Sequence, residues 1–126
     1  MPLRCLIVDD SADFVAAARG LLERQGMSVV GVASTSAEAV ATAHDVRPDV
    51  ALVDVDLGDE SGVDLVWRLS GEAGLEEMPL VLISIYAESD FADVVASSPA
   101  VGFLTKSALS AGAIRRLVGA SARRGT

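Results

Sequence analysis

Five short runs rich in Val, Ile, Leu and Ala, Leu3–Val8, Val29–Ala33, Val50–Val53, Leu80–Ile83 and Val101–Leu104, recur along the chain. Several are apolar without alternation, the pattern of strands covered on both faces. All four prolines, Pro2, Pro48, Pro79 and Pro99, stand one or two residues before a run. A missing N–H and a fixed φ do least harm at a strand entry. Between the first two runs, Phe14, Val15, Ala18, Leu21 and Leu22 follow helical spacing and stop at Gly26, a helix with a glycine stop. Thr35 with Glu38, and Ser61 with Asp64, have the spacing of capping boxes. Further helices are predicted over 36–45, 62–70, 88–97 and 108–121. Strands alternating with helices in a (βα)5 order predict an α/β fold: a doubly wound, five-stranded parallel sheet with helices on both faces.

At 126 residues and 51% hydrophobic content the chain fits one compact domain, and such apolar content excludes an intrinsically disordered segment. The uncharged apolar stretch Met78–Tyr86 has nine residues, against about 20 for a membrane-spanning helix. The acidic pair Asp9-Asp10 leaves no room for a signal peptide's apolar core, so a cytoplasmic location is expected. A net charge of −8 repels phosphate backbones, so this segment is not expected to bind nucleic acid. One cysteine, Cys5, closes no intrachain disulfide and builds no thiolate cage; it is expected in the core. Nine of the ten basic residues are arginine, which makes Lys106 the only lysine.

In a doubly wound sheet, ligands bind beyond the carboxyl ends of the strands, where the strand order reverses. Run one ends in Val8-Asp9-Asp10 and run three in Val53-Asp54, so three carboxylates meet if these strands are neighbours. Their repulsion calls for a divalent cation with oxygen ligands, and Mg²⁺ fits. Run four ends in Ser84 and run five in Thr105-Lys106. Taken alone, Ser84 is a strand-end hydroxyl and Lys106 a solvated charge. Together with carboxylates and a metal they form a set that can stabilise a phosphoryl group in transfer, with Asp54 as a carboxylate nucleophile.

With these motifs in place the chain resembles the receiver domain of bacterial two-component response regulators from Leu3 to about Ala122. The match rests on Asp9-Asp10 after a strand, Asp54 within Val-Asp-Val-Asp-Leu, Gly62 eight residues later, Ser84 and Lys106. The resemblance implies a flavodoxin-like receiver fold over residues 1–122, with 123–126 as a tail that could begin a linker to an effector domain. By the same resemblance Asp54 is the phosphoacceptor. Asp10, Asp54 and the backbone carbonyl of Asp56 would ligate Mg²⁺, with Asp9 acting mainly through water. Ser84 and Lys106 would contact the phosphoryl oxygens, and Phe103 would be the aromatic that follows Ser84 in the family's switch; as a residue by itself, Phe103 reads as a plain core aromatic.

Four positions depart from the family pattern. Ser107 replaces the usual proline after the lysine, leaving the geometry of that loop open, and Gly58 replaces the proline four residues after the phosphoacceptor. That second loop is expected to be more mobile. Bulky Ile85 follows the switch hydroxyl, with Tyr86 next, so narrowed access to Asp54 is expected. Asp56 and Tyr86 occupy positions that in the family modulate dephosphorylation. His44, near the end of a predicted helix, suits the helix dipole and has no sequence neighbour supporting a metal or relay role. Trp67 is expected to pack or stand half-exposed. Arg115, Arg116, Arg123 and Arg124 gather basic charge at the C-terminus, for helix stabilisation or docking.

Two functions from different classes follow. The first is a non-enzymatic phosphoacceptor switch that promotes its own phosphorylation and dephosphorylation in a two-component phosphorelay. It receives its phosphoryl group from a sensor histidine kinase or phosphotransfer protein. It signals through helix four, strand five and helix five to an output partner, an effector domain or a second copy in a phosphorylation-dependent homodimer. The second is a phosphorylation-independent interaction module. A nucleotide-binding enzyme or small phosphatase is disfavoured because no glycine-rich loop follows strand one.

Overall fold

A computed structural model describes residues 2–124, with side chains through Ala120. The main sheet consists of β1 (Arg4–Val8), β2 (Ser28–Ala33), β3 (Val50–Asp54), β4 (Leu80–Ser84) and β5 (Gly102–Thr105). All four pairings are parallel and the order is β2-β1-β3-β4-β5. The helices are α1 (Ala12–Arg24), α2 (Ser36–Val46), α3 (Gly62–Ser70), α4 (Ala92–Ser97) and α5 (Ala111–Arg124).

Successive side chains of a strand point to opposite faces, and here they fill two half-cores. Cys5, Ile7, Val50, Leu52, Val81 and Ile83 pack with Ala18 and Leu22 of α1 and with Ala111 and Ile114 of α5. Leu6, Val8, Ala51, Val53, Leu80 and Leu82 pack on the other face with residues of α2 and α3, and Val95 of α4 joins them. Both faces are covered, which is why the runs carry no polar alternation.

Local chemistry sets the element ends. Ser11 caps α1, its Oγ accepting from the Phe14 N–H at 3.3 Å. At the other end the Gly26 N–H reaches Glu23 O and the Met27 N–H reaches Leu22 O. With Gly26 at φ +89°, this is a Schellman stop. Only one arm of the Thr35–Glu38 box forms: Thr35 Oγ1 accepts from the Glu38 N–H, but the Glu38 carboxylate turns to the N–H and hydroxyl of Ser34. Those bonds hold its pKa below the usual carboxylate value. Ser61 likewise accepts from the Asp64 N–H.

Two helices differ from expectation. The segment over 88–97 is split into a 3₁₀ turn at Glu88–Asp90 and the six-residue α4, with Phe91 between them at φ −127° and ψ 11°. Neither piece has a side-chain cap bond, and the Ser and Asp residues of this stretch favour turns over helix interiors. The expected helix over 108–121 begins instead at Ala111. A 3₁₀ turn at Lys106–Ala108 comes first, Leu109 buries itself in extended conformation, and Ser110 Oγ accepts from the Ala113 N–H. The serine marks the true helix start. Arg115 and Arg116 lie on α5, whereas the side chains of Arg123 and Arg124 and the rest of the 123–126 tail lie outside those described.

A candidate acidic site at the strand ends

Register brings the candidate residues together. Val8 pairs with Val53, Asp54 with Ile83, and Ser84 with Thr105. Asp9, Asp54, Ser84 and Lys106 therefore leave four strands at one edge, beside the place where the order reverses between β1 and β3. Carboxylate oxygens of Asp9, Asp10 and Asp54 lie within 4.8 Å of one another. A cleft of 180 Å³ beside them is lined by Asp10, Asp54, Asp56, Ser84, Ile85, Tyr86 and Lys106.

Each group is held by backbone or by charge. Asp9 Oδ1 accepts from the Ser11 N–H at 2.8 Å, and Asp54 Oδ1 from the Asp56 N–H at 3.0 Å. Lys106 Nζ donates to Asp54 Oδ2 at 3.0 Å and stands 2.7 Å from Asp9 Oδ2. The second approach is a close ion pair, which gives the buried Asp9 Oδ2 its counter-charge. The face of the Phe14 ring lies against the same ammonium, 4.2 Å from ring centroid to Nζ.

The electrostatics follow from burial. Asp54 is only 7% exposed, and desolvation raises its pKa, with the Asp9 charge adding; the Asp56 N–H and Lys106 oppose the rise. For Lys106 burial acts to lower the pKa, but its bonds and charge contacts with Asp9 and Asp54 outweigh it, and the net shift is upward. The ammonium stays charged. Three carboxylates against one ammonium leave two negative charges unmatched. That excess of negative charge suits a hard divalent cation among Asp9, Asp10 and Asp54.

Ser84 is buried at the same edge, its Oγ accepting from the Tyr86 N–H at 3.1 Å. Asp56 brings its main chain to Asp54 and leaves its side chain exposed. Phe103 is not in the cleft: it is buried on the α4 face and stacks on Phe91 at 5.7 Å. Ile85 and Tyr86, 71% and 59% exposed, form one wall of the cleft and lie mostly in solvent. After Lys106 the chain turns in its 3₁₀ turn, where Thr105 Oγ1 and Ser107 Oγ approach to 3.3 Å.

The loop after Asp54 folds into a short paired ribbon. Asp56–Leu57 pairs antiparallel with Glu60–Ser61, and Gly58, at φ +71°, is the first of two turn residues. This is the type II′ pattern, which glycine makes accessible. Glu60 ties the ribbon to α2, its Oε1 accepting from the Ser36 N–H at 2.9 Å. At its far end a Cβ on Gly62 would lie 1.7 Å from Asp54 O, so α3 must begin on a glycine for the chain to pass so close to β3.

Phe14, Glu60 and the partner of His44 are what the sequence reading missed. His44 Nε2 meets Glu72 Oε1 at 2.9 Å, joining α2 to the segment after α3. An aromatic in the first turn of α1 and a glutamate six residues after Asp54 are signals only once α1, β5 and α2 are known to converge. Trp67 is 54% exposed, and Cys5 is a core thiol whose pKa burial pushes up to about 12.

Fold and site define a class: a doubly wound α/β domain with an acidic cluster, a lysine and the strand-end hydroxyl of Ser84 at the edge where the strand order reverses. The chain belongs to the response regulator receiver domain family, which matches residues 5–118. It is 30% identical over 108 residues to Response regulator GacA of Pseudomonas viridiflava, covering 84% of this chain and 49% of that protein. It is 26% identical over 106 residues to Transcriptional regulatory protein PdtaR of Mycobacterium tuberculosis, covering 84% and 50%. Among solved structures, the signal receiver domain of a modulated diguanylate cyclase from Desulfovibrio desulfuricans G20 superposes with a TM-score of 0.78 at 31% identity, covering 98% of this chain and 96% of that one. The chain spans about half, or less, of the length of the curated relatives it matches. Among the described residues no helix is long and apolar enough to cross a membrane.

Proposed function

We propose that this receiver domain accepts a phosphoryl group on Asp54 from the phosphohistidine of a sensor kinase or phosphotransfer protein, in a reaction that depends on Mg²⁺. The observation that carries the reading is the placement of Asp54: buried, bonded to Lys106, and beside two further carboxylates that leave charge for a cation. Asp10, Asp54 and the Asp56 carbonyl would hold the metal, with Asp9 acting through water. When bound, it supplies positive charge for the phosphoryl oxygens and for the nucleophile.

The chain's own residues do the rest. An Asp54 carboxylate oxygen attacks phosphorus; the O–P bond forms as the P–N bond to the donor imidazole breaks, and the imidazole leaves with the electron pair and takes up a proton. Burial makes the Asp54 carboxylate more basic, hence a better nucleophile. Lys106, already 3.0 Å from Asp54 Oδ2, moves its contact to a phosphoryl oxygen, and the Ser84 hydroxyl exchanges its bond with the Tyr86 N–H for another. Because Ser84 and the segment to Ser89 lead into α4, that exchange biases the face formed by α4, β5 and α5, with Phe103 following. That face controls an output partner, an effector domain or a second copy. Asp56 and Tyr86 at the cleft mouth tune the phosphoryl lifetime.

Intact mass after treatment with acetyl phosphate and Mg²⁺ tests the reading. One acid-stable, base-labile phosphate is expected on the wild type and none on Asp54→Asn. A wild-type chain that gains no mass would sink it and favour a phosphorylation-independent interaction module that keeps its acids for metal alone.

A further inference from the structure

The Lys106 ammonium has three sides to satisfy. One N–H is bonded to Asp54 and a second side faces Asp9 Oδ2. The third is covered by the Phe14 ring, whose centroid is 4.2 Å away. With 13% of the lysine side chain exposed, this aromatic face takes the place water would otherwise hold, and the negative face of an aromatic ring attracts a cation. The ring is fixed by the same residues that fix the acids: Ser11 Oγ accepts from the Phe14 N–H, and the Ser11 N–H donates to Asp9 Oδ1. Asp9, the first turn of α1 and the ring thus form one unit facing Lys106.

We propose that Phe14 is a positioning residue that seats the Lys106 ammonium through a cation–π contact, and so sets both the lysine's reach to Asp54 and its competition with Mg²⁺ for the acidic cluster. The inference deepens the phosphoacceptor reading and rests on it. A seated ammonium occupies Asp9 Oδ2 and Asp54 Oδ2, oxygens that a metal would also use, and stays poised to follow charge transferred to Asp54. Weakening the seat therefore has two consequences of opposite benefit: Mg²⁺ meets less competition and binds more tightly, while phosphoryl transfer at saturating metal slows because the lysine is less often in place. Loss of ordinary packing would impair both.

The test replaces Phe14 by leucine and by phenylalanines carrying one, two and three ring fluorines, which drain the negative face at nearly constant volume, and by tyrosine as the conservative variant. Mg²⁺ dissociation constants and rates of phosphorylation by acetyl phosphate at saturating Mg²⁺ are measured for each. From the size of such contacts, a fall in rate of about three- to tenfold is expected for leucine, with graded losses along the fluorine series, tighter Mg²⁺ binding in the same order, and near wild-type values for tyrosine. A rate and an affinity both indifferent to fluorination, or both impaired together, overturn the proposal. An arm without phosphorylation separates it from the reading beneath it: the Lys106 Cε protons should resonate upfield in the wild type through the ring current and return to ordinary shifts in Phe14→Leu. If the wild type takes up no phosphoryl group, that shift and the opposed Mg²⁺ effect still support the seat; an ordinary Lys106 shift in the wild type refutes it whatever the chemistry at Asp54.

Discussion

Asp54 pays in stability for its position. Its pKa is raised above the ordinary 3.8, first by desolvation and then by the Asp9 charge, so the folded state binds the proton more readily than the unfolded chain does. The stabilisation from that proton is complete below 3.8 and is lost as the pH rises through the folded-state value. At neutral pH the ionised carboxylate is therefore a burden on the metal-free fold, and Lys106 retains Asp9 if Asp54 is neutralised. Asp54→Asn is expected to be more stable than the wild type by about 1 kcal/mol at pH 7 without metal. Denaturant unfolding at a series of pH values should show the advantage shrinking as the pH falls toward 3.8. A less stable variant at pH 7 would mean that the Lys106 bond outweighs desolvation.

At the scale of elements, the ribbon after β3 and the start of α3 decide how the site is framed. Gly62 has no room for a Cβ: Asp54 O would lie at 1.7 Å, and the Gly62 N–H is bonded to Val55 O. Gly62→Ala must push the α3 start away from the strand that carries Asp54, at a cost of about 3 kcal/mol, readable as a lower urea midpoint with a weakened Mg²⁺ response. Glu60 acts more gently. Without its bond to the Ser36 N–H, Glu60→Ala should cost about 1 kcal/mol, as for a lost helix cap, and speed amide exchange over 56–61; unchanged exchange there would show that pairing alone holds the ribbon. The ribbon also gives Gly58 a definite place in the turn. A glycine lacks restraint in isolation, yet the positive φ it permits is what closes this turn.

For the molecule as a whole, the two half-cores give a stable frame while the strand-end edge concentrates like charge. A ligand that binds only the folded state raises its stability by mass action. Millimolar Mg²⁺ is thus expected to raise the melting temperature by several degrees, a gain of about 1–2 kcal/mol, and to do so less in Asp10→Ala. Asp10 is the exposed member of the cluster, so its removal should leave the metal-free melt nearly unchanged. Melts indifferent to Mg²⁺ in both proteins would remove the cation from the site.

The sequence by itself determined the strand runs, the helix spacing and the (βα)5 order, because burial on both faces and the 3.6-residue repeat are written in local pattern. The ends of all five strands were legible to about a residue, and with them the edge on which Asp9, Asp10, Asp54, Ser84 and Lys106 would meet. Legibility failed where competing local preferences were close. The stretch over 88–97 broke into a turn and a six-residue helix, and the last helix waited for the Ser110 cap. Tertiary structure alone decided the contacts between elements distant in sequence: the Phe14 ring on Lys106, Glu60 on the N-terminus of α2, His44 on Glu72, and Lys106 on Asp9. Those pairings depend on strand order and register, which place residues as much as 92 positions apart within a few ångströms, and no local pattern of hydrophobic and polar residues encodes such a distance.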